Sequence, residues 1–263
     1  MSGEGLQAER LVFSFGERTV LRGIDLTLHD PGLVALCGPN GAGKSTLLGC
    51  LSGSLRPHAG RVTLGGQDLS SMPARERARF IAVIPQTPDL NFDLRLEEFV
   101  ALGRLHRLSV RDRLLLRPLA ADDHTAVEQA IHDCALTDLR QRRLSQLSGG
   151  ERARAAVAVA LAQATPYLLL DEPMAHLDPA YARAMAETMT ELARRGLVIV
   201  MVVHDLTLAG LFADRTVLMK DGRIVACGTT TDVLTEARLQ EVFETPVTVT
   251  LHPRNGRPVV LPG

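Results

Sequence analysis

Lysine is nearly absent from this chain: Lys44 and Lys220 are its two lysines, and every other cationic side chain is arginine or histidine. Genomic composition accounts for that bias, so it points to no partner by itself. The formal net charge of −1 removes any general electrostatic case for binding nucleic acid. Cysteine is scarce too. Cys37, Cys50, Cys134 and Cys227 lie far apart, without the paired spacing of a zinc site or a disulfide framework. A reducing compartment is therefore expected. Long apolar runs are missing: "LVIVMVV" at 197–203 is far too short to cross a bilayer. The opening MSGEGLQAER has no apolar core, so no signal peptide is expected, and any membrane role runs through a partner.

What remains is ample for a core. The chain has 263 residues, 46% of them apolar, which suits one large α/β domain or a domain plus a small appendage, and not a disordered chain. "LVALC" (33–37), "YLLLD" (167–171) and "LVIVMVVH" (197–204) are continuous apolar runs, as in strands buried on both faces of a parallel sheet. "YARAMAETMTELARRG" between the last two predicts a helix stopped at Gly196, hence a strand–helix–strand crossover. Residues 9–28 alternate and turn at Gly16-Glu17, predicting an antiparallel hairpin. Asp221-Gly222 and Asn255-Gly256 signal two more. In the middle, "LEEFVALGRL" and "HTAVEQAIHDCAL" predict helices, joined by an arginine-rich, proline-interrupted link. Residues 97–160 read as a helical subdomain set into the α/β core.

"GPNGAGKST" (38–46) follows a predicted strand, opens a helix and fits G-x-x-x-x-G-K-[ST] at every fixed position. Gly38, Gly41 and Gly43 allow the backbone to curl with its N–H groups inward around phosphates. Lys44 can reach the β/γ-phosphates, and the Ser45 hydroxyl can ligate Mg²⁺. Asp171 ends a predicted buried strand, where open α/β sheets bind ligands. It is expected to anchor the metal, and Glu172 to polarise the attacking water as general base. His204 ends the next strand, whose expected neighbour is the Asp171 strand, so its imidazole can reach the γ-phosphate or that water. Gln86, at another strand end, can offer its amide oxygen to Mg²⁺ or water. Phe15 can stack on a base or simply pack within its hairpin. A second anion site is written into "LSQLSGGERARAAVAVALA" (144–162). This predicted helix opens on Ser148-Gly149-Gly150, where bare N–H groups and the positive dipole end attract negative charge.

Taken together, "GPNGAGKST", Gln86, "LSGGE" (147–151), "YLLLDEP" (167–173), "HLDP" (176–179) and His204 resemble, in this order, the nucleotide-binding subunit of ABC transporters. The resemblance spans roughly residues 8–245. It implies a P-loop NTPase core of the ABC ATPase kind, with an N-terminal antiparallel β subdomain and the inserted helical subdomain. One such domain would fill 1–263, with a short C-terminal β extension at about 246–263. It also implies ATP and Mg²⁺, with nucleotide contacts from Phe15, Gly38, Pro39, Asn40, Gly41, Ala42, Gly43, Lys44, Ser45 and Thr46. Metal contacts would come from Ser45, Gln86 and Asp171, and catalytic roles from Glu172, His204, Gln86 and Lys44. In that family two subunits pair head to tail, so Ser148, Gly149 and Gly150 of one face the γ-phosphate held by the other. The two anion sites of one chain then serve two shared reaction centres. Asp178 resembles the residue that crosses the same interface.

Within the family, "ERARFIAVIPQTPDLNFDLRLEEFVALGR", "LSGGERARAAVAVALAQ" and "DEPMAHLDP" resemble importers of iron-siderophore, haem and vitamin B12 complexes. "VALGR" and His176 are similar to haemin-importer ATPases in particular. Met174, where the family usually has threonine, and "LHRLSVRD" depart from the pattern. The resemblance implies a homodimer on the cytoplasmic face of the inner membrane. Membrane permease subunits would accompany it, with a periplasmic or lipoprotein substrate-binding protein reached through them, and no nucleic acid. Importers of cobalamin or a metal ion, exporter ATPases and non-transport ABC ATPases are the alternatives. The last group usually carries a coiled coil or two cassettes, and this chain shows one cassette and no heptad run.

Overall fold

The computed structural model describes residues 5–85, 93–108, 120–174 and 177–263. The chain opens with β1 (Leu6–Phe15) and β2 (Arg18–Leu28), an antiparallel hairpin turning at Gly16-Glu17 as expected. The alternation of β1 slips midway. Leu6 and Ala8 face inward, then Leu11 and Phe13 do, because a bulge at Glu9-Arg10 inserts a residue. Arg10 takes φ +47° there, and its N–H donates to the Asp25 carboxylate at 2.8 Å. β4 (Ala59–Leu64) and β5 (Gln67–Asp68) extend the hairpin into a sheet of order β2-β1-β4-β5. Neither strand is among the elements expected from the sequence.

The second sheet holds β3 (Gly32–Cys37), β6 (Ile81–Ile84), β7 (Tyr167–Leu170), β8 (Val198–Val202), β9 (Arg215–Lys220) and β10 (Arg223–Thr229). Its order is β10-β9-β3-β8-β7-β6, parallel except for β10, which returns through Asp221-Gly222. The apolar runs make sense in this setting. Leu33, Ala35 and Cys37 of β3 enter one core layer, and Val34 and Leu36 the other. Ile199 and Met201 of β8 likewise oppose Val198, Val200 and Val202. Each such side chain contributes roughly 1.5–3 kcal/mol when fully buried. The layer shared with the antiparallel sheet also takes α1 (Lys44–Ser52), through Leu47, Leu48 and Leu51.

The other layer packs α3 (Leu96–Ala101), α4 (Ala121–Asp133), α5 (Gly149–Ala162) and α6 (Pro179–Arg194). A short α2 (Ala74–Arg77) precedes β6. α6 provides the expected crossover between β7 and β8, and Gly196 follows it at φ +106°. Two expectations need correction. The predicted helix "LEEFVALGRL" is α-helical only through Ala101, then tightens to a 3₁₀ turn at Leu102–Arg104. Gly103 lies against α5 there, where a Cβ would sit 2.2 Å from the Val159 carbonyl oxygen. Asn255-Gly256 does not close a two-residue turn. It lies in a wider loop between β11 (Val247–Leu251) and β12 (Pro258–Pro262), in which the His252 N–H donates to the Arg257 carbonyl at 2.8 Å. That hairpin docks on α7 (Leu206–Phe212), with the Thr207 hydroxyl donating to the Val260 carbonyl at 2.7 Å. Among the described residues no helix is long and apolar enough to cross a membrane.

Candidate nucleotide site

Sheet order decides which residues meet. β3, β8 and β7 are neighbours and end level, since Leu36 pairs with Val202 and Leu170 with Met201. Past those ends lie the 38–46 loop, His204 and Asp171-Glu172, so groups far apart in sequence gather at one carboxyl edge. The strand carrying His204 adjoins the Asp171 strand, as expected, and also adjoins the strand that delivers the loop. Gln86 follows β6 in sequence but lies outside the described residues, as does His176.

Gly38, Gly41 and Gly43 take φ of +147°, +79° and +97°, which side chains resist. At Gly38 there is also no room: a Cβ would lie 2.2 Å from the Met219 carbonyl oxygen. Ala42 is buried, while Asn40, Gly41 and Ser45 are exposed and Pro39 and Thr46 half-buried. Lys44 starts α1 and is nearly enclosed. Its ammonium donates to the carbonyls of Gly38 at 2.7 Å and Pro39 at 2.9 Å, bending over its own loop. Burial lowers its pKa, and the negative fields of Glu172 and Asp171 oppose that shift.

The adjacent carboxylates face different partners. Asp171 accepts a hydrogen bond from the Ser45 hydroxyl at 3.0 Å. Burial raises its pKa, the Ser45 bond lowers it, and the Glu172 charge raises it further. Glu172 lies 2.5 Å from His204 Nε2 through its Oε1. Its backbone takes φ +51°, a left-handed conformation costing roughly 1–3 kcal/mol at a non-glycine position. That turn separates the direction of Glu172 from that of Asp171. Asp205 caps α7 by accepting the N–H groups of Thr207 and Leu208, which fixes the backbone beside His204. Sequence reasoning passed over this residue, though an Asp before a helical run is a capping signal. A hydroxyl bonded to a carboxylate is a hard oxygen pair that suits a divalent cation such as Mg²⁺. Among the described residues no group of three or more His, Cys, Asp or Glu could enclose a metal alone.

Phe15 is 58% exposed and stands edge-on to Phe13, with ring centroids 4.9 Å apart. It pairs across the hairpin with Arg18, whose guanidinium would approach a Cβ on Gly41 to 3.9 Å, so the hairpin turn overlies the loop. Arg18 carried no signal in the sequence. At the second anion site one expectation is corrected: the helix start is not bare. The Ser148 hydroxyl accepts the Glu151 N–H at 3.3 Å, and the Glu151 carboxylate accepts the Ser148 N–H at 2.7 Å. The Gly149 and Gly150 N–H groups have no partner within the helix, and Gly149 faces open space. Asp178 caps α6, accepting from the N–H groups of Ala180 and Tyr181 at 3.0 and 3.1 Å, with Pro179 next to it. Among the described residues, no hydrogen bond or ion pair joins Ser148 or Asp178 to the 38–46 loop.

A glycine-rich loop between a buried parallel strand and a helix, beside a carboxylate and a carboxylate–histidine pair on adjoining strand ends, defines a nucleoside-triphosphate-hydrolysing α/β domain. The ABC transporter family matches residues 21–175. The hemin import ATP-binding protein HmuV of Pseudomonas entomophila is 41% identical over 261 residues, 97% of this chain and 99% of that protein. Its namesake from Streptomyces coelicolor is 42% identical over 247 residues, 94% of this chain and 86% of the other. In shape, the chain is similar to a metal-chelate type ABC transporter captured in an inward-facing conformation, with a TM-score of 0.84 over 99% of this chain and 98% of that one, at 24% identity. The chain belongs to the ABC transporter family and is one of its ATPases.

Proposed function

We propose that this chain is the ATP-hydrolysing subunit that energises import of an iron chelate, haem foremost, through a separate membrane permease. The observation that carries the hydrolytic half is the pairing of Ser45 with Asp171 beside the pairing of Glu172 with His204, all next to Lys44. The names of its relatives support the cargo. In this reading the loop N–H groups and Lys44 hold the β/γ-phosphates, and Phe15 stacks on the base. Ser45 and Asp171 hold Mg²⁺, joined by Gln86; the ion would neutralise charge on the phosphate oxygens. Glu172 accepts a proton from the attacking water, and His204 orients Glu172 toward it.

Two copies pair head to tail, with the Ser148–Gly150 helix start of one closing on the γ-phosphate held by the other and Asp178 beside it. Hydrolysis removes the charge that bridges the halves and lets them part. A single ATPase domain fills the chain, with a helical subdomain at about 97–160 that meets the permease and a short β extension at about 246–263. The pair works on the cytoplasmic face of the membrane, where the permease links it to a substrate-binding protein outside.

Reconstitution with the permease tests this. Haem should stimulate both hydrolysis and uptake, and Lys44→Ala should abolish both along with nucleotide binding. Stimulation by cobalamin or a ferric siderophore but not haem would overturn the cargo. Undiminished hydrolysis by Lys44→Ala would overturn the site.

A further inference from the structure

Cations gather at the end of the second sheet remote from the nucleotide. Arg79 precedes β6, and β6 runs parallel to β7. A four-residue strand spans about 13 Å, so Arg79 lies at least that far from the level of Asp171. Facing Arg79 is the turn after α3. It is a built frame and not a loose loop. Arg104, 2% exposed, lies beneath it, donating to the Asp123 carboxylate at 2.8 Å and to the Ala162 carbonyl at 2.6 Å. Arg75 reaches across to donate to the carbonyls of His106 at 2.8 Å and Arg107 at 3.0 Å. The His106 ring holds the Gly103 carbonyl at 3.0 Å. On the opposite wall the Gln163 amide donates to the carbonyls of Ala78 and Ile81, pinning the segment that carries Arg79.

Between these walls opens a cleft of about 460 Å³, lined by Arg79, Arg104, His106, Arg107, Gln163 and Ala164. Among the described residues no carboxylate lines it. Asp123 lies below and is already bound to Arg104, with Arg107 at 3.7 Å. The Arg79 side chain has no hydrogen-bond or ion-pair partner among the described residues. His106 senses the imbalance: burial lowers its pKa, the Gly103 bond opposes that, and the fields of Arg104, Arg107 and Arg79 lower it further. Three guanidinium fields therefore converge on one small space. A guanidinium fork matches the paired oxygens of an oxyanion, and the Arg79 fork is uncommitted and available to one.

We infer that this cleft binds a phosphate group, gripped by Arg79 and Arg107 above buried Arg104, and carried either by a soluble phosphate or by an anionic lipid headgroup. The site is separate from the nucleotide loop and is independent of the cargo. Guanidinium contacts supply the binding, so salt weakens it.

The test uses the full chain with its nucleotide loop filled by ADP. Inorganic phosphate is titrated while the His106 imidazole is followed by NMR. In parallel, the protein is floated with vesicles of phosphatidylcholine alone or containing phosphatidylglycerol. Arg79→Gln/Arg107→Gln is compared with Arg183→Gln/Arg194→Gln, which removes equal charge from the exposed face of α6. The wild type and the α6 variant should respond alike, and the cleft variant should bind at least about tenfold more weakly while hydrolysing ATP normally. A response to free phosphate identifies a soluble source. A response confined to phosphatidylglycerol vesicles identifies the headgroup. If the double variant fails to fold, exposed Arg79→Gln alone must still weaken binding. No response in either arm, or equal binding by the cleft variant, overturns the inference.

Discussion

Replacing Asp123 with alanine should weaken what holds α4, α5 and the turn after α3 together without unfolding them. The Asp123 side chain is 6% exposed and that of Arg104 2%, so the pair is shut away from water. Arg104 donates to one Asp123 oxygen through both Nε and a terminal nitrogen, each at 2.8 Å. Removing the carboxylate leaves a buried guanidinium with the Ala162 carbonyl as its one remaining acceptor among the described residues. Breaking one side of such a pair costs about 3–5 kcal/mol, because the surviving charge stays desolvated. At about 2–4 °C per kcal/mol for a chain of this size, the melting temperature should fall by about 6–20 °C. Reversible urea unfolding of Asp123→Ala reads the same loss as a lower midpoint with an unchanged slope. The double replacement Arg104→Leu/Asp123→Leu should recover most of it, since apolar substitutes of similar volume remove the desolvation cost along with the attraction. A loss below about 1 kcal/mol for the single variant, or a double variant worse than the single, would refute the reasoning.

Two further outcomes follow from burial and close approach. Burial pushes the Cys37 and Cys134 thiols up to about 12 and Cys50 to about 11, so almost no thiolate forms there near neutrality. A thiol reagent at pH 8 should therefore label exposed Cys227 alone in the folded chain and all four cysteines in guanidinium; rapid native labelling of a second cysteine would count against the core described. Gly210→Ala should loosen the C-terminal hairpin, because its Cβ would fall 2.1 Å from the Pro258 carbonyl oxygen. Amide exchange should rise across 247–262, and unchanged protection there would contradict the docking on α7.

The parts that were legible in the sequence are those governed by local chemistry. Five successive buried residues in Val198–Val202 read as a strand covered on both faces, and one was found. Asp221-Gly222 read as a tight turn because Asp221 and Gly222 both accept positive φ, and they do. "GPNGAGKS" read as a phosphate loop because its glycines and its strand–helix setting are consecutive in the chain. What stayed hidden depends on distant neighbours. Arg104 read as part of the predicted helix "LEEFVALGRL"; only the fold brings Asp123 and the end of α5 to it. Gly103 interrupts a convincing helical pattern because α5 passes against it. Asn255-Gly256 carried the same turn signal as Asp221-Gly222, but the strands beyond it stop short and leave a wider loop. Ser148 was read for its exposed N–H groups, whereas its hydroxyl is committed to Glu151, a capping box visible in "SGGE" itself.

The account turns on each reaction centre being shared between two chains. Sedimentation of Glu172→Gln with saturating Mg-ATP measures this most directly, because binding without turnover should trap the closed pair. The prediction is a dimer with ATP, a monomer with ADP, and a monomer in both when Ser148→Arg is added. A species that stays monomeric with ATP, or a dimer indifferent to Ser148→Arg, would contradict it.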